Sequence, residues 1–81
     1  MKDLIRFFQL PPDKIVELIF LLEGEDGIGV VRTLDSDRGL IEILLAPNFE
    51  KEFNAFLATV REELGLSEIG KPEGVLSLAD E

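Results

Sequence analysis

The stretch DKIVELIFLLEGEDGIGVVRTLDSDRGLIEILLA, Asp13 to Ala46, decides the fold. It opens as a dense apolar helix, breaks at Gly24-Glu25-Asp26-Gly27, and continues as two β-rich runs joined by Asp35-Ser36-Asp37-Arg38-Gly39. Ile15, Leu18, Ile19 and Leu22 keep the i, i+3, i+4, i+7 spacing of a core-facing helix stripe. Val16, Phe20 and Leu21 fall outside that stripe. At about 100° per residue the apolar arc therefore covers well over half the circumference. Only Asp13, Lys14 and Glu17 mark a polar side. Gly24 is expected to end the helix in the left-handed cap position.

The two runs that follow, Ile28 to Leu34 and Leu40 to Ala46, read as a hairpin. If Leu34 pairs with Leu40, Arg32 lies opposite Glu42, a favourable cross-strand charge pair. That register puts Val31, Thr33, Ile41, Ile43 and Leu45 on one face. Ile28, Val30, Leu34, Leu40, Leu44 and Ala46 surround the Arg32–Glu42 pair on the other. A one-residue slip would exchange the faces. Neither face is polar enough to be simply wet, whereas an antiparallel sheet commonly has one solvated side.

Outward from this stretch, Leu4 to Leu10 reads as a strand closed by Pro11-Pro12, which supply no ladder donors. Downstream, Pro47-Asn48 opens a second helix with Asn48 as its N-cap. Phe49, Phe53, Phe56, Leu57, Val60 and Leu64 form its single stripe, and Gly65-Leu66 is a Schellman ending. Residues 67–81 read as a polar tail with one apolar cluster, Val75-Leu76-Ser77-Leu78, suited to a short extra strand. The expected fold is α+β: a ferredoxin-like split βαβ sandwich of order β-α-β-β-α over residues 1–66, with two helices on one face of an antiparallel sheet. The second sheet face has no helix left to cover it.

The run from Ile15 to Asp35, together with Arg38-Gly39-Leu40-Ile41-Glu42-Ile43, resembles a small bacterial family known only as a domain of unknown function. That resemblance implies no activity. More distantly, the helix–glycine–hairpin order is similar to ACT-type regulatory domains, which pair through sheets or helices and bind amino acids at the interfaces. Their Asp-x-Pro-Gly turn corresponds here to Leu10-Pro11-Pro12-Asp13-Lys14, without the glycine that lets backbone approach an effector. By this analogy, a ligand would sit near Asp13, Gly27, Gly29 and Arg32.

Composition excludes several classes of function. The chain has neither cysteine nor histidine, so thiolate and imidazole chemistry, Ser-His catalysis and the usual zinc, copper and haem ligands are missing. Its 8 basic residues are scattered singly among 17 acidic ones, for a formal charge of −9, which disfavours phosphate backbones and anionic membranes. No apolar run approaches the roughly 20 residues of a membrane span. Met1-Lys2-Asp3 is not followed by a signal-peptide core, and a cytoplasmic location is expected.

Two acidic clusters have ordinary explanations. Asp35-Ser36-Asp37-Arg38-Gly39 lacks the third acidic ligand and closing glutamate of a calcium loop, and suits a hairpin turn. Glu23-Gly24-Glu25-Asp26-Gly27 could offer oxygen ligands to a hard cation, yet reads first as a helix end and turn. No catalytic residue, metal site or cofactor is expected.

What remains is surplus apolar surface on a chain too short to hide it. A domain of this size buries about 60–65% of its unfolded surface, and oligomerisation is a common remedy. The expectation is a non-enzymatic, self-associating module, a dimer, open to regulation by a small molecule. Its expected interface residues are Val16, Phe20, Val30, Leu34, Leu40 and Leu44. The alternative is an accessory subunit that docks its apolar sheet face on a larger protein.

Overall fold

The apolar stripes and the alternating runs assemble around one antiparallel sheet in the computed structural model, which describes residues 3–25, 27–75 and 77. The elements are β1 (Leu4–Gln9), α1 (Ile15–Glu23), β2 (Val30–Asp35), β3 (Leu40–Leu45), α2 (Glu50–Leu64) and β4 (Ser67–Ile69). The strand order is β2-β3-β1-β4, which with β-α-β-β-α-β connectivity is the ferredoxin-like arrangement. None of the described helices is long and apolar enough to cross a membrane.

The core forms on one side of the sheet. Phe8, Ile41, Ile43 and Leu45 point toward Ile15, Leu18 and Leu22 of α1 and Phe53, Phe56, Val60 and Leu64 of α2. Phe8 and Phe53 meet edge to face, with ring centroids 6.1 Å apart. Enclosing each of these large side chains contributes about 1.5–3 kcal/mol before conformational entropy is subtracted. Of the expected stripes, Ile15, Leu18 and Leu22 of α1 and Phe53, Phe56, Val60 and Leu64 of α2 are buried, while Ile19, Leu57 and Phe49 (in the turn before α2) pack partly buried against them.

β3 carries the register. Arg32 stands opposite Glu42, Val31 opposite Ile43 and Thr33 opposite Ile41, as the charge pairing suggested. A bulge between Thr33 and Asp35 makes Asp35, not Leu34, the partner of Leu40. The extra residue feeds a tight turn in which Asp35 Oδ1 accepts the Arg38 N–H at 3.1 Å. Gly39 closes that turn with φ +69°, and its carbonyl accepts the Leu10 N–H at 3.0 Å.

Other boundaries differ from the sequence reading for local reasons. Ile28 precedes β2 and is buried in the core, because the backbone turns at Gly27 (φ +74°) before the strand begins. Gly24 keeps a right-handed φ of −73°, so the left-handed position lies three residues later. Pro47–Phe49 forms a 3-10 turn ahead of α2, and Asn48 makes no capping hydrogen bond. α2 ends as expected: Gly65 is left-handed, and the Leu66 N–H reaches the Arg61 carbonyl at 2.8 Å.

The fourth described strand is Ser67–Ile69, paired antiparallel with β1, in a stretch that the sequence reading left to the tail. Leu76 and Leu78 lie outside the described residues. Val75 belongs to a bend after the turn at Glu73–Gly74, and Ser77 is buried against the sheet face turned away from the helices. Ser67–Ile69 thus complete the described sheet, and Ser77 lies over its second face.

Candidate functional site

On that second face Arg32, Glu42, Phe7 and Ile69 form one row across all four strands. Glu42 is fully buried and Phe7 nearly so. A carboxylate taken out of water needs partners. Glu42 has Arg32 Nη1 at 3.3 Å on Oε2 and the Ser77 hydroxyl donating to Oε1 at 2.6 Å. Arg32 keeps part of its guanidinium in solvent. This row ties the register of β2 and β3 to the chain beyond β4.

A second polar group lies on the helix side, where β1 and β4 face α2. The alternation of β1 puts Leu4, Arg6 and Phe8 on one face, so Arg6 is directed toward the core layer. Its guanidinium makes three side-chain hydrogen bonds. Nε and Nη2 donate to the two carboxylate oxygens of Glu68 at 2.8 and 2.7 Å, and Nη1 donates to Asn54 Oδ1 at 2.6 Å. The Phe53 ring lies 5.2 Å from the guanidinium carbon, within cation–π range. The hydrogen bonds from Arg6 hold the Glu68 carboxyl below its ordinary range, against the opposing effect of burial; Arg61 lowers it further. The same fork-to-fork pairing raises the Arg6 guanidinium.

Beside this pair is a cavity of about 180 Å³. Arg6, Asn54, Arg61 and Glu68 line its polar side, and Leu57 and Leu66 its apolar side. Nothing in the sequence pattern singled it out. The signal available was the arginine on the core-facing register of β1, but its partner Glu68 is 62 residues away.

The residues proposed by ACT analogy do not share a pocket. Asp13 is exposed in the 3-10 turn before α1, while Gly27 and Gly29 follow its far end. Nine helical residues separate these ends, about 14 Å at 1.5 Å per residue. Arg32 points to the other sheet face, toward Glu42. Gly29 has a packing explanation: a Cβ there would come 3.2 Å from Ile43 Cγ2 and 3.3 Å from the Leu44 carbonyl. Asp26, in the acidic loop, lies outside the described residues. Among the described residues no group of three or more acidic side chains gathers in a way that could hold a metal ion.

Of the expected interface residues, Val16, Phe20 and Val30 are 76%, 75% and 64% exposed. Leu34 and Leu44 are half-buried. Leu40 is a correction: it is buried within the single chain and has almost no surface to offer. The open sheet face is consequently less apolar and less open than the hairpin pattern alone implied.

No curated protein and no solved structure matches the chain. A family model does, over residues 8–64, from the core phenylalanine of β1 to the last residue of α2. The chain belongs to the family described as a domain of unknown function, DUF4911.

Proposed function

We propose that this chain is a non-enzymatic module that self-associates as a twofold dimer, through the free edge of β2 and the adjoining flank of α1. The observation that carries this reading is the exposure of Val16 and Phe20 on α1, and of Val30 on the edge strand itself, on the sheet face turned away from α1. Ile19 and Glu23 border a cleft with Gly29 and Val31 at the start of β2. Val16 and Phe20 come next around the helix on the same side, at about 100° per residue. The flank turned toward the β2 edge is therefore apolar.

The two sheet edges differ. β4 is three residues long and presents Ser67 and Glu68. β2 is six residues long and has neither lysine nor proline; its charged residues are Arg32, paired with Glu42, and Asp35 beside the bulge near its end. A second copy is the occupant that fits. A strand paired antiparallel with itself satisfies a twofold axis, and that axis sets one α1 flank against the other. The accessory-subunit alternative has less support, because Phe7, Leu40 and Glu42 are enclosed within the chain.

The test is the absolute mass by light scattering over a wide concentration range, for the native protein and Phe20→Asp. A concentration-dependent dimer that weakens at least tenfold in the variant supports the reading; burial of one phenylalanine is worth about 1.5–3 kcal/mol. A native protein that stays monomeric, or a variant that dimerises equally well, overturns it.

A further inference from the structure

We infer that the cavity between β1, β4 and α2 binds a small aliphatic carboxylate, with Arg61 as the group that selects its charge. Three of the chain's four arginines already have a carboxylate within 4 Å: Arg6 with Glu68, Arg32 with Glu42 and Arg38 with Asp35. Arg61 makes no ion pair among the described residues, yet it lines this cavity. Glu68 has both oxygens committed to Arg6, so that pair is close to neutral and the wall keeps the positive charge of Arg61. A positively charged cavity wall is unexpected on a chain of formal charge −9.

The rest of the lining sets the ligand's other end. Leu57 and Leu66 give an apolar surface that suits a hydrocarbon tail. Cavities of about 150 Å³ hold a benzene, so about 180 Å³ suits some six to eight non-hydrogen atoms. Arg6 contributes as well. Its three hydrogen bonds use three of the five guanidinium N–H groups, so a side chain that lines the cavity keeps two further donors. A ligand of this size with one charge-assisted contact is expected to bind with a dissociation constant on the order of 1 mM. The site lies at the β4 edge, away from β2, and does not depend on self-association.

The experiment is an amide chemical-shift titration of the full chain with pentanoate and with pentanamide, its neutral isostere. Saturable shifts at Leu57, Ala58 and Leu66 with pentanoate, and roughly tenfold weaker ones with pentanamide, are the expected result. Arg61→Gln should bring pentanoate down to the level of pentanamide. Because Arg61 is exposed and makes no ion pair among the described residues, the variant should keep the native spectrum elsewhere. Ala58→Leu, which narrows the cavity without changing charge, should weaken both ligands. The inference is overturned if pentanoate gives no saturable shift at these amides, if pentanamide binds as well, or if Arg61→Gln binds pentanoate unchanged.

Discussion

The Ser77 hydroxyl donates a 2.6 Å hydrogen bond to Glu42 Oε1, joining the chain beyond β4 to a fully buried carboxylate on the central strand β3. Glu42 also takes the Arg32 guanidinium at 3.3 Å. Ser77→Ala removes one donor from a carboxylate that water does not reach, at a cost of about 1–3 kcal/mol. Urea denaturation should show the loss as a lower midpoint with an unchanged slope. A stability equal to that of the native protein would mean that Ser77 only rests over Glu42.

Arg32→Met should destabilise by about 2 kcal/mol. That is less than the 3–5 kcal/mol of a fully enclosed pair, because the Arg32 end is partly in water. The double variant Arg32→Met, Glu42→Leu should regain most of that loss, since no uncompensated buried charge is left. A double variant as unstable as the sum of the singles would mean that the pair acts through separate contacts.

The Arg32–Glu42 pairing was legible in the sequence because a charge pair within two alternating apolar runs allows few registers. The aromatic stripe of α2 was legible for the same kind of reason, a sustained period. Ser67–Ile69 was not: three residues have no period, and their strand geometry comes from pairing with β1. The Ser77 contact spans 35 residues and the Arg6–Glu68 contact 62, distances over which no local rule acts. Ile28 continues the alternation of β2 on paper, but the turn at Gly27 carries it into the core. The candidate site was therefore less legible than the fold, since it is made by tertiary pairing.

Gly39→Ala should cost about 3 kcal/mol or more. The residue sits at φ +69°, and a Cβ there would overlap the Leu10 carbonyl oxygen. Backbone strain of about 1–3 kcal/mol adds to loss of the Leu10 N–H bond to the Gly39 carbonyl. Gly27→Ala provides the comparison, with the same sign of φ but no atom within 4 Å of the added methyl. It should cost only the conformational part, about 1 kcal/mol. Thermal unfolding of the two variants separates the clash from the strain, and equal losses would show that the Leu10 approach is relaxed at little cost.

The Arg6–Glu68 pair makes stability depend on acid in one direction. The folded Glu68 carboxyl lies below its unfolded value of about 4.3, so its contribution is complete above that pH. It is lost as pH falls through the folded value. Because Glu68 is half-exposed, the effect is modest and weakened by salt. The native protein should exceed Glu68→Gln in stability at pH 6, and the gap should narrow steadily below about pH 4.3. A gap that persists unchanged into acid would assign it to packing of the side chain rather than to its charge.

The proposed self-association would bring together two chains of formal charge −9 each, so repulsion would oppose an apolar contact through the exposed Val16 and Phe20. The Debye length is about 10 Å at 0.1 M salt and about 3 Å at 1 M, so added sodium chloride should relieve that repulsion. Sedimentation equilibrium should show the native dimer tightening by roughly tenfold between low and high salt. Phe20→Asp adds a charge and removes an apolar contact, so it should be the weaker dimer throughout and gain more from salt. An interface built on ion pairs would behave oppositely and loosen as salt rises. That outcome would place the contact away from the α1 flank, which offers exposed apolar side chains.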